Sequence, residues 1–353
     1  MGRNIFSEAK IKNKVKKVDR LENNKQLHEE LSDIYAGLSN YIFKYLSHNK
    51  TIPIIVDLCF MKDDHDIQML SAEVTAQGRS MPVYREVFAS GGLKNRAKYF
   101  LANFSTCLPT DSSILIIMDA GFGEEWFSEI QKYNWHWLTR IRQGKKLKLG
   151  KEQEWQNVLA IIPEIGEKAK AYNDAAIMKG HDMPCRIVTI KQTAKVVRKK
   201  PKKAPRNDKA GNNSYRRAAN EPWILATNLP ITYGARQIIN YYAKRMQIEE
   251  SFRDLKSHQY GLSARYVRTT CIYRWGVKML LAAIVQIIYW IIGIIGHSLG
   301  MQKICQANTV KDRKVFSYFY LGKLIIEFNK INELKFDDGN IDKIIEQELA
   351  RKW

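Results

Sequence analysis

Blocks of apolar and polar positions divide the chain into recognisable elements. Residues 1–50 carry apolar side chains such as Leu27, Leu31 and Leu38 at helical intervals among many charges, which predicts a mildly basic helical region. TIPIIVDLC (51–59) is a short apolar run rich in β-branched residues and predicts a buried strand. IQMLSAEVTA (67–76) and MPVYREVF (81–88) predict two more, with QGRS (77–80) suited to a hairpin connection. KNRAKYFLANFSTCL (94–108) predicts a helix, SILIIMDAGF (113–122) a buried strand ending in Asp-Ala-Gly, EEWFSEIQKY (124–133) a helix, and WHWLTRIR (135–142) a fifth strand. The order is three strands, helix, strand, helix, strand. A polar interval with short strand signals, about 145–232, reads as a separate small β module. After it, GARQIINYYAKRMQIEESFRDLKS (234–257) predicts one long helix.

One run raises the question of a membrane. Met279–Ile295 is seventeen residues without a charge, and Gln286 is its one strongly polar side chain. That length lies at the lower edge for crossing a bilayer. A fully buried core helix is the favoured reading, because the segment stands alone and follows a highly charged helix. A membrane-attached basic protein built around this run is the competing class.

Charge narrows the function. The 353 residues hold 57 Lys+Arg against 36 Asp+Glu, a net charge of +21. At 45% hydrophobic residues there is ample material for a core, so a disordered or collagen-like chain is excluded, and the length allows two or three domains. A charge of +21 attracts polyanions, nucleic acid first and anionic membrane second. The surplus is concentrated: Arg140–Arg217 has 21 Lys+Arg and 7 Asp+Glu, densest in KQTAKVVRKKPKKAPRNDKAGNNSYRR (191–217). That stretch reads as a solvated basic loop that contacts phosphates, with a solubilising surface loop as the competing reading. Five scattered cysteines without a C-x-x-C pair argue against a disulfide framework or thiolate zinc site and suit a reducing cytosol. MGRNIFSEAKIKNKVKK has no apolar core of a secretory signal.

Three acidic residues stand out. Asp57 and Asp119 are each expected to end an apolar strand, and Glu249 lies on the long helix. Singly, each reads as a group pointing to water, since burying an unpaired charge is costly. Jointly, two strand-end aspartates and a helical glutamate are what hard, oxygen-seeking Mg²⁺ needs. At about 100° per residue, Tyr242, Arg245, Glu249, Arg253 and Lys256 fall within a stripe roughly 80° wide, and Glu250 falls outside it. Tyr241, Ile248, Phe252 and Leu255 occupy the neighbouring stripe, ready to pack under a sheet. Geometry thus chooses Glu249 over Glu250 as the ligand. A row of surface ion pairs, beginning with Arg245 and Glu249 at i,i+4, is the alternative reading of the first stripe.

Tyr242-x2-Arg245-x3-Glu249-x6-Lys256 resembles the YREK signature of the insertion-sequence-four family of bacterial transposases. GRN near the start, KKVDRL, QGRSMPVY, DAGF, EPWILATNLP, KRMQIEESFRDLKS, YGL and QANTV, in order over about residues 2–325, are similar to the transposon-ten branch of that family. The resemblance implies an α/β, ribonuclease H-like (retroviral-integrase-like) mixed-sheet core with an inserted β-rich module and flanking helices. The divisions would be a helical N-terminal region (1–50), a core (51–144 and 234–300), a basic insertion (145–233) and a C-terminal helical region (301–353). It implies Asp57, Asp119 and Glu249 as the catalytic and metal-binding triad for two Mg²⁺ ions, with Mn²⁺ as a substitute. It also implies that Tyr242, Arg245 and Lys256 contact DNA phosphates, with Arg253 on the same stripe, and that Trp223 is the platform for a base flipped from a hairpin end.

The implied activity is cut-and-paste transposition: strand nicking, hairpin formation and resolution, and strand transfer. Its partners would be double-stranded DNA, as terminal inverted repeats and as target, and a second copy of the chain in a homodimer, in the bacterial cytoplasm at the nucleoid, with no membrane. Two departures are visible. Relatives commonly read Asp-Trp-Ser-Asp where this chain has Asp57-Leu58-Cys59-Phe60, which removes polar support for the ligand. Relatives also carry a few dozen residues ahead of the position of Met1, so either translation starts upstream or this is a shortened copy with impaired end recognition. A catalytically impaired remnant that only binds DNA is the alternative function.

Overall fold

The computed structural model describes residues 7–45, 51–61, 66–76, 79–91, 93–110, 112–151, 153–191, 221–260, 262, 264, 267–307, 309, 315–328 and 338–350. Of the expectations above, the basic stretch 192–217, the GRN motif, Gln77, Gly78, Gly261, Asn308 and Val310 lie outside these residues. The chain forms two compact units, residues 1–115 with 245–353, and residues 116–244.

The first unit opens with α1 (Ile11–Glu22), α2 (Lys25–Glu29) and α3 (Leu31–Phe43). A three-stranded antiparallel meander follows: β1 (Thr51–Phe60), β2 (Ile67–Thr75) and β3 (Ser80–Ala89). Then come α4 (Ala97–Ser105) and the first half of β4 (Ser113–Met118), in the strand order β3-β2-β1-β4. The first six residues of β1 are buried on both faces, as a continuous apolar run requires. α4 starts later than the pattern suggests because Asn95 adopts a left-handed conformation (φ 60°), which no helix accommodates.

The second unit takes up β4 from Ile116 and continues with α5 (Glu124–Lys132), β5 (His136–Arg140), β6 (Lys146–Lys148), β7 (Gln156–Asn157), α6 (Val158–Ile161), β8 (Lys170–Ile177), β9 (Met183–Ile190), β10 (Trp223–Thr227) and α7 (Ala235–Ala243). Its strands run β4-β5-β10-β9-β8-β6-β7. β10 is antiparallel to both β5 and β9, so the strand after the basic stretch lies against the last strand before the interval 145–232.

The first unit resumes with α8 (Met246–Lys256), α9 (Ile272–Ser298), α10 (Met301–Cys305), α11 (Tyr318–Glu327) and α12 (Asp338–Ala350). α9 contains the apolar run and, by length and composition, could cross a membrane. In this structure it lies against β3 and α11, and 61% of its most apolar window is buried. Close approach to α11 depends on glycine: a Cβ on Gly293 would sit 1.8 Å from the Tyr318 carbonyl oxygen, and one on Gly322 equally close to that of Tyr289.

Two local expectations are corrected. The long helix 234–257 is two helices, α7 and α8, separated at Lys244–Arg245. The Lys244 N–H bonds the Tyr241 carbonyl and the Ile248 N–H that of Arg245, both three residues back, so 3₁₀-type bonds interrupt the α pattern. Asp57 does not end its strand; β1 continues to Phe60, with Asp57 opposite Ser71 of β2.

Candidate active site

Alternation along β1 puts Ile55, Asp57 and Cys59 on one face, and α8 covers that face. Ile248, Phe252 and Leu255 pack with Ile55, Cys59, Met69, Trp275 and Met279 in one apolar cluster. Tyr241, expected on the same stripe, belongs to α7 and is half-buried. Docking this stripe turns the adjacent flank of α8 toward Asp57. Arg245, just ahead of α8, donates to Asp57 Oδ2 from Nη1 (3.1 Å) and to Glu249 Oε1 from Nη2 (2.5 Å). One guanidinium therefore joins the strand carboxylate to the helix carboxylate. Asp57 Oδ1 accepts the Leu58 N–H (2.9 Å), which fixes the second oxygen.

The setting grades from buried to open. Asp57 and Arg245 side chains are 14% and 12% exposed, and Glu249 is 42% exposed. Lys256 is half-buried near the Cys59 thiol; burial pushes that thiol's pKa up and Lys256 opposes the shift. Arg253 is largely exposed and pairs with Glu250 (2.6 Å). Glu250 is thus engaged by Arg253.

Asp119 belongs to the second unit and is described there. It directly follows β4, whose last five residues are buried. Its Oδ1 accepts the Gly121 N–H (2.7 Å) in a tight Asx turn, and its carbonyl accepts the Thr139 hydroxyl from β5 (2.8 Å). A Cβ on Gly121 would come within 3.0 Å of that carboxylate oxygen, so the small residue of Asp-Ala-Gly lets the turn close. Asp119 lines a cavity of about 620 Å³ with Phe122, Arg142, Lys145, Lys146 and Lys179. Arg140 lines it too, and the other four cations, Arg142, Lys145, Lys146 and Lys179, are exposed. Arg140 pairs with Glu221 (2.9 Å).

Trp223 and Tyr242 also lie in the second unit, at the start of β10 and in α7. Their rings meet edge to face at 5.1 Å, with Tyr242 buried and Trp223 half-buried. The expected four-turn stripe therefore loses its first member to another helix, and Arg245, Glu249, Arg253 and Lys256 remain along α8. Burial lowers the pKa of Lys244 at the break.

Sequence reasoning missed two buried ion pairs in the first unit. Glu73 and Arg85 are wholly buried and paired at 2.8 Å, with the Ser71 and Ser80 hydroxyls donating to Glu73. Arg79 Nε donates to Asp254 Oδ2 at 2.6 Å, and burial raises the pKa of Asp254. Glu73 inside an otherwise strand-like run, and Asp254 flanked by Phe252 and Leu255, were the signals available.

Carboxylate oxygens of Asp57 and Glu249, already gathered around one cation, are hard donors and suit Mg²⁺ or Mn²⁺. Among the described residues, neither unit by itself gathers three or more His, Cys, Asp or Glu side chains into a metal-holding cluster.

The mixed α/β architecture, with its meander, following strand and carboxylate-bearing helix, is that of a ribonuclease H-like domain. Residues 66–271, more than half of the chain, match the family described as transposase DDE domain, and the chain belongs to that family. The matched segment contains Asp119 and Glu249 and begins after Asp57. No curated protein shows significant similarity to the chain. Members of this family bind DNA, cleave and join strands, and use divalent metal ions.

Proposed function

We propose that the chain is a cut-and-paste DNA transposase of the YREK, insertion-sequence-four type, with a transposon-ten-like motif set. The observation that carries this reading is the Arg245 guanidinium joining Asp57 to Glu249. It supports a site where carboxylates from strand and helix share a cation, with an arginine beside them whose guanidinium suits a phosphate. Asp119 is the third proposed ligand. Bound Mg²⁺ (two ions, Mn²⁺ substituting) would activate water or a 3′-hydroxyl and stabilise the charge of in-line phosphoryl transfer.

The chain's own residues then divide the work. Asp57, Asp119 and Glu249 supply the anionic oxygens. Arg245 and Lys256 hold the phosphate flanking the scissile bond. Trp223 supplies a stacking face for an extruded base, with Tyr242 bracing its ring. The exposed cations around the Asp119 cavity and the basic stretch 191–217 hold backbone phosphates of inverted repeats and target. The sequence of steps is nicking, hairpin formation, hairpin opening and strand transfer, in a homodimer that brings two ends together, at the bacterial nucleoid.

Asp119→Ala tests this division. Mg²⁺-dependent nicking of an end-containing duplex is expected to vanish while gel retardation of that duplex stays near wild type. Parallel loss of binding contradicts it.

A further inference from the structure

The helix carrying Glu249 is held on its apolar stripe by contacts without directional preference, which permit it to rotate or slide. Its rotation has a second, directional anchor. Asp254 sits about 140° around α8 from Glu249 and is buried. Its Oδ2 accepts from Arg79 Nε at 2.6 Å, in the connection between β2 and β3. About two turns earlier, Gln247 Oε1 accepts the Ala76 N–H at 3.0 Å, from the same connection. The Tyr260 hydroxyl, in the turn after α8, lies beside the same guanidinium, and Glu250 Oε2 is 3.8 Å from Arg79 Nη1. Hairpin tip and helix are therefore joined at two levels on the flank away from Asp57.

We infer that Arg79, Asp254 and Gln247 form a latch that sets the rotation and height of α8, and thereby presents Glu249 to Asp57. This rests on the proposed metal site. They are positioning residues: none touches Asp57 or Glu249 among the described contacts, and they act through the helix. A buried ion pair adds little to stability against an apolar replacement, so its use here is to select one arrangement. An aliphatic pair of similar volume could keep α8 on the sheet but not index Glu249.

The test uses the full chain and Mn²⁺ as probe, read by the electron paramagnetic resonance signal of free Mn²⁺ and checked by thermal melting. Arg79→Gln and Asp254→Asn are expected to weaken Mn²⁺ binding roughly tenfold or more, the range for groups that orient metal ligands. The swap Arg79→Asp with Asp254→Arg restores most of the affinity. Gln247→Ala leaves no charge buried and gives the same trend if either ion-pair variant fails to fold. Wild-type Mn²⁺ affinity in folded Asp254→Asn and Gln247→Ala overturns the latch. Glu249→Gln separates the two readings: if it loses Mn²⁺ while the latch variants keep it, the latch alone has failed. If Glu249→Gln binds Mn²⁺ like wild type, the metal site itself is wrong and the latch falls with it.

Discussion

Two carboxylate–guanidinium clusters share one sheet of the first unit. In the first, Glu73 and Arg85 are fully buried and matched one to one, with the Ser71 hydroxyl joining Arg85 on Glu73 Oε1 and the Ser80 hydroxyl donating to Oε2. In the second, Asp57 and Glu249 share the guanidinium of Arg245, and Glu249 opens to solvent. Ser71 links them in space, since it faces Asp57 on one side and Arg85 on the other. The first cluster is matched in charge and sealed from solvent, which suits it to holding strands together, although Arg85 Nη1 is buried without a hydrogen-bond partner among the described residues. The second reaches solvent through Glu249, so a cation or phosphate from outside can meet it. That exposure is what suits the second cluster to the proposed chemistry.

The widest separation is expected from removing one partner of the closed pair. Arg85→Ala strands the Glu73 charge inside the sheet and should cost about 3–5 kcal/mol of stability, read by denaturant unfolding, while Glu73→Leu with Arg85→Met recovers most of it. Arg245→Ala sharpens the contrast. Its stability change should be clearly smaller than that of Arg85→Ala, because Glu249 is open to solvent while Glu73 is not, and single-turnover nicking falls roughly a hundredfold through loss of the phosphate grip. A stability loss like that of Arg85→Ala would make the Arg245 cluster structural.

The smallest effect is expected at the cations around the Asp119 cavity. Lys145→Ala with Lys146→Ala should flatten the salt dependence of DNA binding by about 0.9 in log–log slope per lysine, with little effect on the melting temperature. An unchanged slope would take these side chains off the DNA.

Much of this was legible before any coordinates. Unbroken β-branched runs announced β1 and β4, because a strand buried on both faces cannot alternate. A 100° step per residue separated Glu249 from Glu250 and identified Ile248, Phe252 and Leu255 as the docking stripe. The break between α7 and α8 was hidden, since Lys244 and Arg245 are ordinary helix formers and no glycine or proline marks the place. The buried partners of Glu73 and Asp254 were hidden too. A charged residue in a periodic segment reads as solvent-facing unless its counter-charge is known, and Arg85 and Arg79 reach these positions from a neighbouring strand and a turn.

The account rests on Asp119 joining Asp57 and Glu249 around shared cations, which iron substituted for magnesium can report. Fe²⁺ bound to the full chain, with ascorbate and peroxide, generates hydroxyl radicals that cut the backbone near the metal. Cuts clustering close to residues 57, 119 and 249, and suppressed by excess Mg²⁺, are the predicted result. Cuts near 57 and 249 with the segment around 119 untouched would contradict it.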